Sequence, residues 1–390
     1  MVKTKVGYSE NVDAFESGVE TAKTALGAEA KAGLLFTSVN QDQAEIVRGI
    51  KSVMGHTPFV GCTSSAAICT HDGYLNKETG YSGMMTFSGD VEVVVAGSEK
   101  TPNETAREIG RRIATEAVSK VRGTDKQPDY FFMTASPKEE EEYLKGIQDV
   151  VGKIPMFGGS AADNTVEGKW SIICNDKIFS DGCAVAIFYA ENEMHNLYTG
   201  AYHETDNVGI ISKVRDNRTL VEIDGVPAVQ KYCEWTGKNV NDVMGANLLT
   251  ATIFDPVGVK DPIGNVTAIR HPMAANDDLS MNIGANLEEK TAVIRMHLDS
   301  DEMVMANPKT VAELTSEFKN EVQSYFLVHC GGRRLGLQLE GKEDRIYPEV
   351  VKATNGKEFL MVFTFGEYGS HDHSSNTVGV LSLSFTGFSK

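Results

Sequence analysis

Leu34-Leu35-Phe36-Thr37, a stretch of helical spacing, and then Pro58-Phe59-Val60-Gly61-Cys62-Thr63-Ser64-Ser65 form the passage that decides the fold. From Leu34 to Pro58 is 24 positions, long enough for a strand, a crossover helix and a parallel second strand. The same order returns at Phe131-Phe132-Met133-Thr134 and, again 24 positions on, at Pro155-Met156-Phe157-Gly158-Gly159-Ser160-Ala161-Ala162-Asp163-Asn164. Each copy then passes through a polar excursion into further β-rich runs, at 84–87 and 91–95 in the first and at 184–188 in the second, which returns to end at Tyr202. A third, looser copy reads 325–330, a helical stretch, 359–367, a polar loop and 378–383. One supersecondary unit recurring in this way predicts an α/β fold of repeated strand-helix-strand units with mixed sheets.

Helical periodicity fills the gaps. Apolar residues recur at helical spacing in Val12, Phe15, Val19, Ala22 and Leu26, in Ile46, Ile50 and Val53, in Ile109, Ile113 and Ala117, and in Leu144, Ile147 and Val151. Val311, Leu314, Phe318 and Val322 mark a further helix, with Pro308 expected near its start. Residues 225–299 differ in character. Asp224-Gly225 and Gly264-Asn265 turns alternate there with short β-branched runs, so the segment is expected to be β-rich and to open a second domain. The expected division is 1–225 and 226–390.

The chain has 390 residues, 41% hydrophobic and 23% charged, as in globular domains. Its formal charge of -17 repels phosphate backbones and anionic lipid, so neither nucleic acid nor membrane is an expected partner. Met1-Val2-Lys3-Thr4-Lys5-Val6 does not read as a signal peptide, and the expected location is the cytoplasm. Six cysteines without a Cys-x-x-Cys pair are expected to be free thiols.

In each copy the second strand runs into a glycine-bearing loop at its carboxyl end, where ligands of open α/β sheets sit. Glycine lets a ligand approach the backbone, and Ser, Thr, Asp and Asn add short polar groups. The candidate binding residues are therefore Gly61, Cys62, Thr63 and Ser64, then Gly158, Gly159, Ser160, Asp163 and Asn164, and in the third copy Cys330, Gly366, Glu367, Asn376 and Thr377. Neither Gly-x-Gly-x-x-Gly nor a P-loop motif is present. The acidic run Glu139 to Glu142 reads as a solvated first turn of a helix.

Phe59-Val60-Gly61-Cys62-Thr63-Ser64, the Pro155 to Asp163 motif, Val328-His329-Cys330-Gly331-Gly332-Arg333, and Phe365-Gly366-Glu367 followed by Asn376-Thr377 together resemble the FIST family of intracellular signal-transduction sensors. The resemblance spans nearly the whole chain, FIST N-like in its first part and FIST C-like in its second. It implies an input domain for small ligands, with amino acids or their derivatives as the class, and haem-bound nitric oxide sensing in some members. After Ser64 this chain reads Ser65-Ala66-Ala67 where the family often has Ala-Gly-Glu. His371-Asp372-His373-Ser374-Ser375-Asn376-Thr377 stands in place of His-Asn-x-Thr.

By the same match Arg333 sits where a strand gives way to a glycine-bearing turn. It is expected to hold a ligand carboxylate, with Glu367 as counterpart for an ammonium or for Arg333 itself. A structural salt bridge is the competing role. The expectation is thus a non-enzymatic sensor of an amino acid or small carboxylate, closing around its ligand in a cleft between domains. With the chain ending at Lys390, output is expected through a separate protein such as a histidine kinase or chemoreceptor. No cofactor is expected. Two alternatives stand beside this reading: a haem-based sensor with His203 or His371 as ligand, and a thiol enzyme using Cys62 or Cys330.

Overall fold

The computed structural model describes residues 1–25, 30–121, 126–260, 267–371 and 375–389, without the side chain of His371. The Gly264-Asn265 turn, Leu26, and the Asp372-His373 part of the third loop lie outside the described residues.

Three copies of one module build the core. In the first, strand Val2–Ser9, helix Ala14–Ala25, strand Ala30–Thr37, helix Gln43–Met54, strand Phe59–Thr63, a hairpin of Ile68–Thr70 and Gly73–Leu75, and strand Ser82–Gly89 follow in order. The second repeats this with Val91–Glu99, Ala106–Val118, Tyr130–Ala135, Glu140–Val151, Met156–Ser160, the hairpin Ile172–Cys174 and Lys177–Phe179, and Gly182–Ala190. The third has Met194–Thr199, helix Ser300–Ser316, Val322–Cys330, helices Gly331–Leu339 and Ile346–Ala353, Glu358–Thr364, the hairpin Glu367–His371 and Ser375–Gly379, and Leu383–Ser389. In every module the two strands flanking the crossover are parallel, as the 24-position spacing of the first two copies predicts for them.

The polar excursions are not loops but hairpins, and each leaves its own module. The second module's hairpin extends the first sheet beyond Phe59–Thr63, the third module's extends the second sheet beyond Met156–Ser160, and the first module's extends the third sheet beyond Glu358–Thr364. Exchange of this kind covers the strand that would otherwise be an open edge of each sheet. The three sheets enclose one apolar interior, where Phe36, Phe132 and Phe326 meet with ring centroids 5.3–6.1 Å apart, one from each sheet. The outer faces carry the helices. In the first two modules the paired helices approach so closely that a Cβ at Gly18 would lie 2.2 Å from Ile46 O, and one at Gly110 2.3 Å from Tyr143 O.

Three expectations about the chain's path are corrected. The run ending near Tyr202 is not part of the second copy, since Met194–Thr199 pairs with Leu383–Ser389 as the edge of the third sheet. The last strand begins at Leu383, because Leu381 turns through φ 54° and Val378 and Gly379 belong to the hairpin. Pro308 lies inside its helix, which starts at Ser300 under an Asp299–Glu302 capping box. The missing Pro308 N–H leaves Val304 O without its helical donor. Asn307 Nδ2 supplies one at 3.1 Å.

Between the first strand and first helix of the third module the chain inserts a separate body. Its eight-stranded sheet takes strands from His203–Arg215 to Ala292–His297, packed on helix Ala228–Thr236 with Ile211, Leu220, Tyr232, Val257, Met281 and Val293 inside. The division expected at residue 225 falls here on a two-residue turn, with Asp224 at φ 52° and Gly225 at φ 76° joining the paired residues Ile223 and Val226.

Phe326→Ala is expected to lower stability by about 3–5 kcal/mol, the usual loss for a fully buried phenylalanine. Denaturant titration measures it. A loss below about 1 kcal/mol would show that the three rings do not form a packed axis.

Candidate functional site

A cavity of about 650 Å³ lies between the inserted sheet and the three-module core. Four segments meet there. The second module gives Lys138, Glu140 and the loop from Asn164 to Trp170, and the first gives Ser65. The third gives Cys330, Gly331, Gly332, Arg334, Leu335, Phe365 and Val380, and the insertion gives Arg218, Leu249, His271, Met273 and Ile283. Most of this wall is apolar. Trp170 meets Phe365 edge to face with centroids 6.0 Å apart, and its Nε1 donates to Ser180 O at 2.8 Å, which fixes the ring.

The loop that carries Trp170 is shaped by one carboxylate. Buried Asp163 accepts backbone N–H groups from Thr165, Val166, Glu167 and Lys169, drawing the chain around itself. Val166 is thereby held at φ 60°, and Lys138, also in the lining, sits at φ 115°. Such backbones in side chains with a Cβ cost about 1–3 kcal/mol each and cluster at sites that surrounding structure over-determines.

Two charged arrangements face the cavity. Glu140 is buried, and its oxygens receive Ser160 Oγ at 3.0 Å and Lys138 N at 2.8 Å. Arg218 of the insertion reaches across to Glu140 at 3.4 Å and Glu141 at 2.6 Å. Burial, then the charge of Glu141, raises the Glu140 carboxyl, and Arg218 opposes that rise. Within the run Glu139 to Glu142, Glu140 and Glu141 are therefore the core's half of an ionic link, while Glu139 and Glu142 keep the exposed character expected of the turn, 40% exposed each. Across the cavity, Arg334 is nearly enclosed, with Nη1 on Glu343 at 2.6 Å and Nε without a protein partner.

Of the residues singled out in the sequence, Asn164 and Cys330 line this cavity, and Asp163 shapes it. Asn164 Oδ1 also accepts Ala66 N at 2.8 Å. Gly61 and Gly158 serve strand packing: a Cβ at either would fall within 2 Å of a neighbouring carbonyl oxygen, at 1.6 Å for Gly61 and 1.9 Å for Gly158. Cys62 faces the central apolar interior, Thr63 accepts Ser171 N, and Ser64 spans Ala67 O and Phe363 N. Gly159 and Gly366 lie where the third module's hairpin joins the second sheet, beside Ser160, which also bonds Tyr368. Asn376 donates to Ile154 O on another side of that sheet, and Thr377 pairs with Gly369.

Arg333, expected to be the polar anchor, is fully buried and does not line the cavity. Its Nη1 donates to Gly200 O and Leu381 O, and its guanidinium lies over the Tyr202 ring at 5.6 Å. Helical geometry places the next residue, Arg334, toward the cavity instead. Glu367 makes no ion pair within salt-bridge distance among the described residues, accepting Thr364 Oγ1 and Ser382 N. Burial raises it to about 8, against which these hydrogen bonds and the Arg333 charge act. Both candidate nucleophiles are buried. Desolvation pushes Cys62 up to about 12 and Cys330 higher still, the opposite of thiolate activation. His203 stands outside the cavity, exposed and 3.4 Å from Glu302. No group of three or more metal-ligating side chains occurs among the described residues, nor any helix long and apolar enough to cross a membrane. Arg218, His271 and Trp170 escaped prediction because they reach the site from an insertion and a hairpin loop whose positions no local pattern encodes.

Family models close the comparison. The FIST N domain matches residues 31–226 and the FIST C domain residues 228–370. The chain belongs to the FIST family. FIST domains are sensor and signal-transduction domains. An uncharacterized protein of Methanocaldococcus jannaschii is 22% identical over 346 residues, covering 83% of this chain, which spans 64% of that relative's length. The PurLQS structure from Thermotoga maritima aligns with 99% of this chain and 72% of its own at 9% identity, with a TM-score of 0.21, too low to indicate a shared fold.

Glu367 binds a proton more tightly in the folded chain than in the unfolded one. Its contribution is full below the ordinary carboxylate range and is lost as pH rises through about 8. Glu367→Gln is accordingly expected to flatten the fall of the thermal midpoint across that window. Parallel melting curves of the two proteins, identical in slope with pH, would contradict this.

Proposed function

We propose that this chain is a cytoplasmic sensor that binds a small molecule, an amino acid or small carboxylate, in the cavity between the inserted sheet and the core. The observation that carries this reading is the cavity's construction. Its volume, about 650 Å³, is that of a small-molecule site, and one of its walls comes from each body. A ligand touching both walls binds best when they are at contact distance, so it biases their relative arrangement by its differential affinity. Ion pairs from Arg218 to Glu140 and Glu141 cross between the bodies, and Arg218 and Glu140 also line the cavity, so occupancy and inter-body contact share residues. The output passes to a separate protein, of which a histidine kinase or chemoreceptor is the proposed kind.

The haem and thiol readings gain no support of this sort. His203, an expected axial ligand, stands exposed and outside the cavity lining, 3.4 Å from Glu302. The thiols are buried and their ionisation is suppressed.

A thermal-shift screen with amino acids and small carboxylates tests the proposal. Ligand at a hundred times its Kd should stabilise by about 2.7 kcal/mol. Met273→Trp, which fills the cavity from the insertion side, should abolish that shift. No stabilisation at millimolar ligand, or stabilisation unchanged in Met273→Trp, would rule the site out.

A further inference from the structure

The cavity's charges do not suit a zwitterion. Three cations line it, Lys138, Arg218 and Arg334, against two carboxylates, Glu140 and Glu167, while Glu141 and Glu343, which pair with Arg218 and Arg334, lie outside the lining. Both carboxylates are occupied. Glu140 is held by Ser160, Lys138 N and Arg218, and Glu167 pairs with Lys169 at 2.6 Å. A ligand ammonium would find no open acidic group here. His271 offers no charge either, because burial lowers it to about 4 and keeps the ring neutral near neutral pH.

One end of the cavity is built for an anion. Helix Gly331–Leu339 begins there with Gly331 and Gly332 in the lining, and the sulfur of its cap residue, Cys330, lies against the Gly332 and Arg333 amides without making a full capping hydrogen bond. Amides at a helix start attract negative charge. Arg334 stands on the same turn and in the cavity lining, with only 7% of its side chain exposed, Nη1 on Glu343 and Nε enclosed without a protein partner. The same lining also holds Trp170, Phe365, Leu249, Met273, Ile283 and Val380, which offer hydrocarbon and aromatic surface and few polar groups.

Resting on the small-ligand reading above, we infer that the site takes an apolar monocarboxylate lacking an α-ammonium. Its carboxylate lies against the Gly331–Gly332 amides and Arg334, and its ring or chain against Trp170 and Phe365. Arg334 then supplies a charge-assisted hydrogen bond, while the glycines let the carboxylate approach the backbone.

Calorimetric titration of the full chain with phenylbutyrate, homophenylalanine, phenylbutanol and phenylbutylamine separates the contributions, since the four share one hydrocarbon frame and differ in charge. Phenylbutyrate is expected to bind at least about tenfold more tightly than each of the others. Arg334→Gln should weaken it by about tenfold or more, the loss expected for a hydrogen bond to a charged group. Glu343→Gln, which removes the carboxylate competing for Arg334, should retain or tighten binding. Equal or tighter binding of homophenylalanine or phenylbutanol overturns the ligand class but leaves the cavity as a small-molecule site. Equal weakening by Arg334→Gln and Glu343→Gln overturns the role of Arg334, since it assigns the effect to their ion pair. Binding of none of the four at millimolar concentration, together with a silent thermal-shift screen, overturns the class and the small-ligand reading alike.

Discussion

Everything in this molecule depends on the cyclic exchange of hairpins among three sheets. A parallel pair such as Ala30–Thr37 and Phe59–Thr63 would end in an unpaired edge, and Ile172–Cys174 of the next module closes it through Cys62, Gly61 and Val60. The same device serves the other two sheets. No module can therefore complete its backbone hydrogen bonding alone, and unpaired buried amides and carbonyls are costly enough to make the three modules one cooperative unit. The phenylalanine triangle at the axis is the side-chain counterpart, since each ring needs the other two sheets in place to be covered.

Within this frame the modules place equivalent residues alike. Ser38, Ser136 and Cys330 each stand at or just past the end of a central strand, and each donates its backbone N–H at or just ahead of the start of the module's last strand, to Tyr81 O, Gly182 O and Ser382 O. Repetition alone gives three similar strand ends. What distinguishes the third is the long insertion after Met194–Thr199, which roofs the start of helix Gly331–Leu339 and turns a strand end into a cavity. The frame positions the site, and the insertion encloses it.

The repeat was legible because parallel strands buried on both faces demand continuous apolar runs at fixed spacing, and 34–37 and 131–134 carry that signal. The hairpin exchange was not legible. Ile68–Thr70 and Ile172–Cys174 are three-residue strands whose partners lie in other modules, and short segments do not encode a distant register. For the same reason the loop residues Asn164 and Cys330 were placed at the cavity while Arg333 was exchanged for its neighbour. Glycine-bearing strand ends mark where a site forms, but which of two adjacent arginines faces it depends on helix phase at the first turn. Glu140 shows the opposite case. An acidic helix start looks solvated until an insertion far along the chain covers it and brings Arg218.

That pair also sets the energetic character of the boundary between core and insertion. Glu140 sits at the head of helix Glu140–Val151, where the amides favour negative charge, yet its burial disfavours it. Arg218 restores the balance, and is itself steadied by Gly284 O and Asn286 Oδ1 on the insertion. If the insertion moves away from the core, Glu140 loses its cation and keeps only Ser160 Oγ and the Lys138 amide. Breaking a buried pair by removing one partner is far costlier than the pair's net worth, so intermediate separations are disfavoured. A boundary of this kind favours a few discrete arrangements over a continuum, and the Arg218 and Glu140 that form it also line the adjoining cavity.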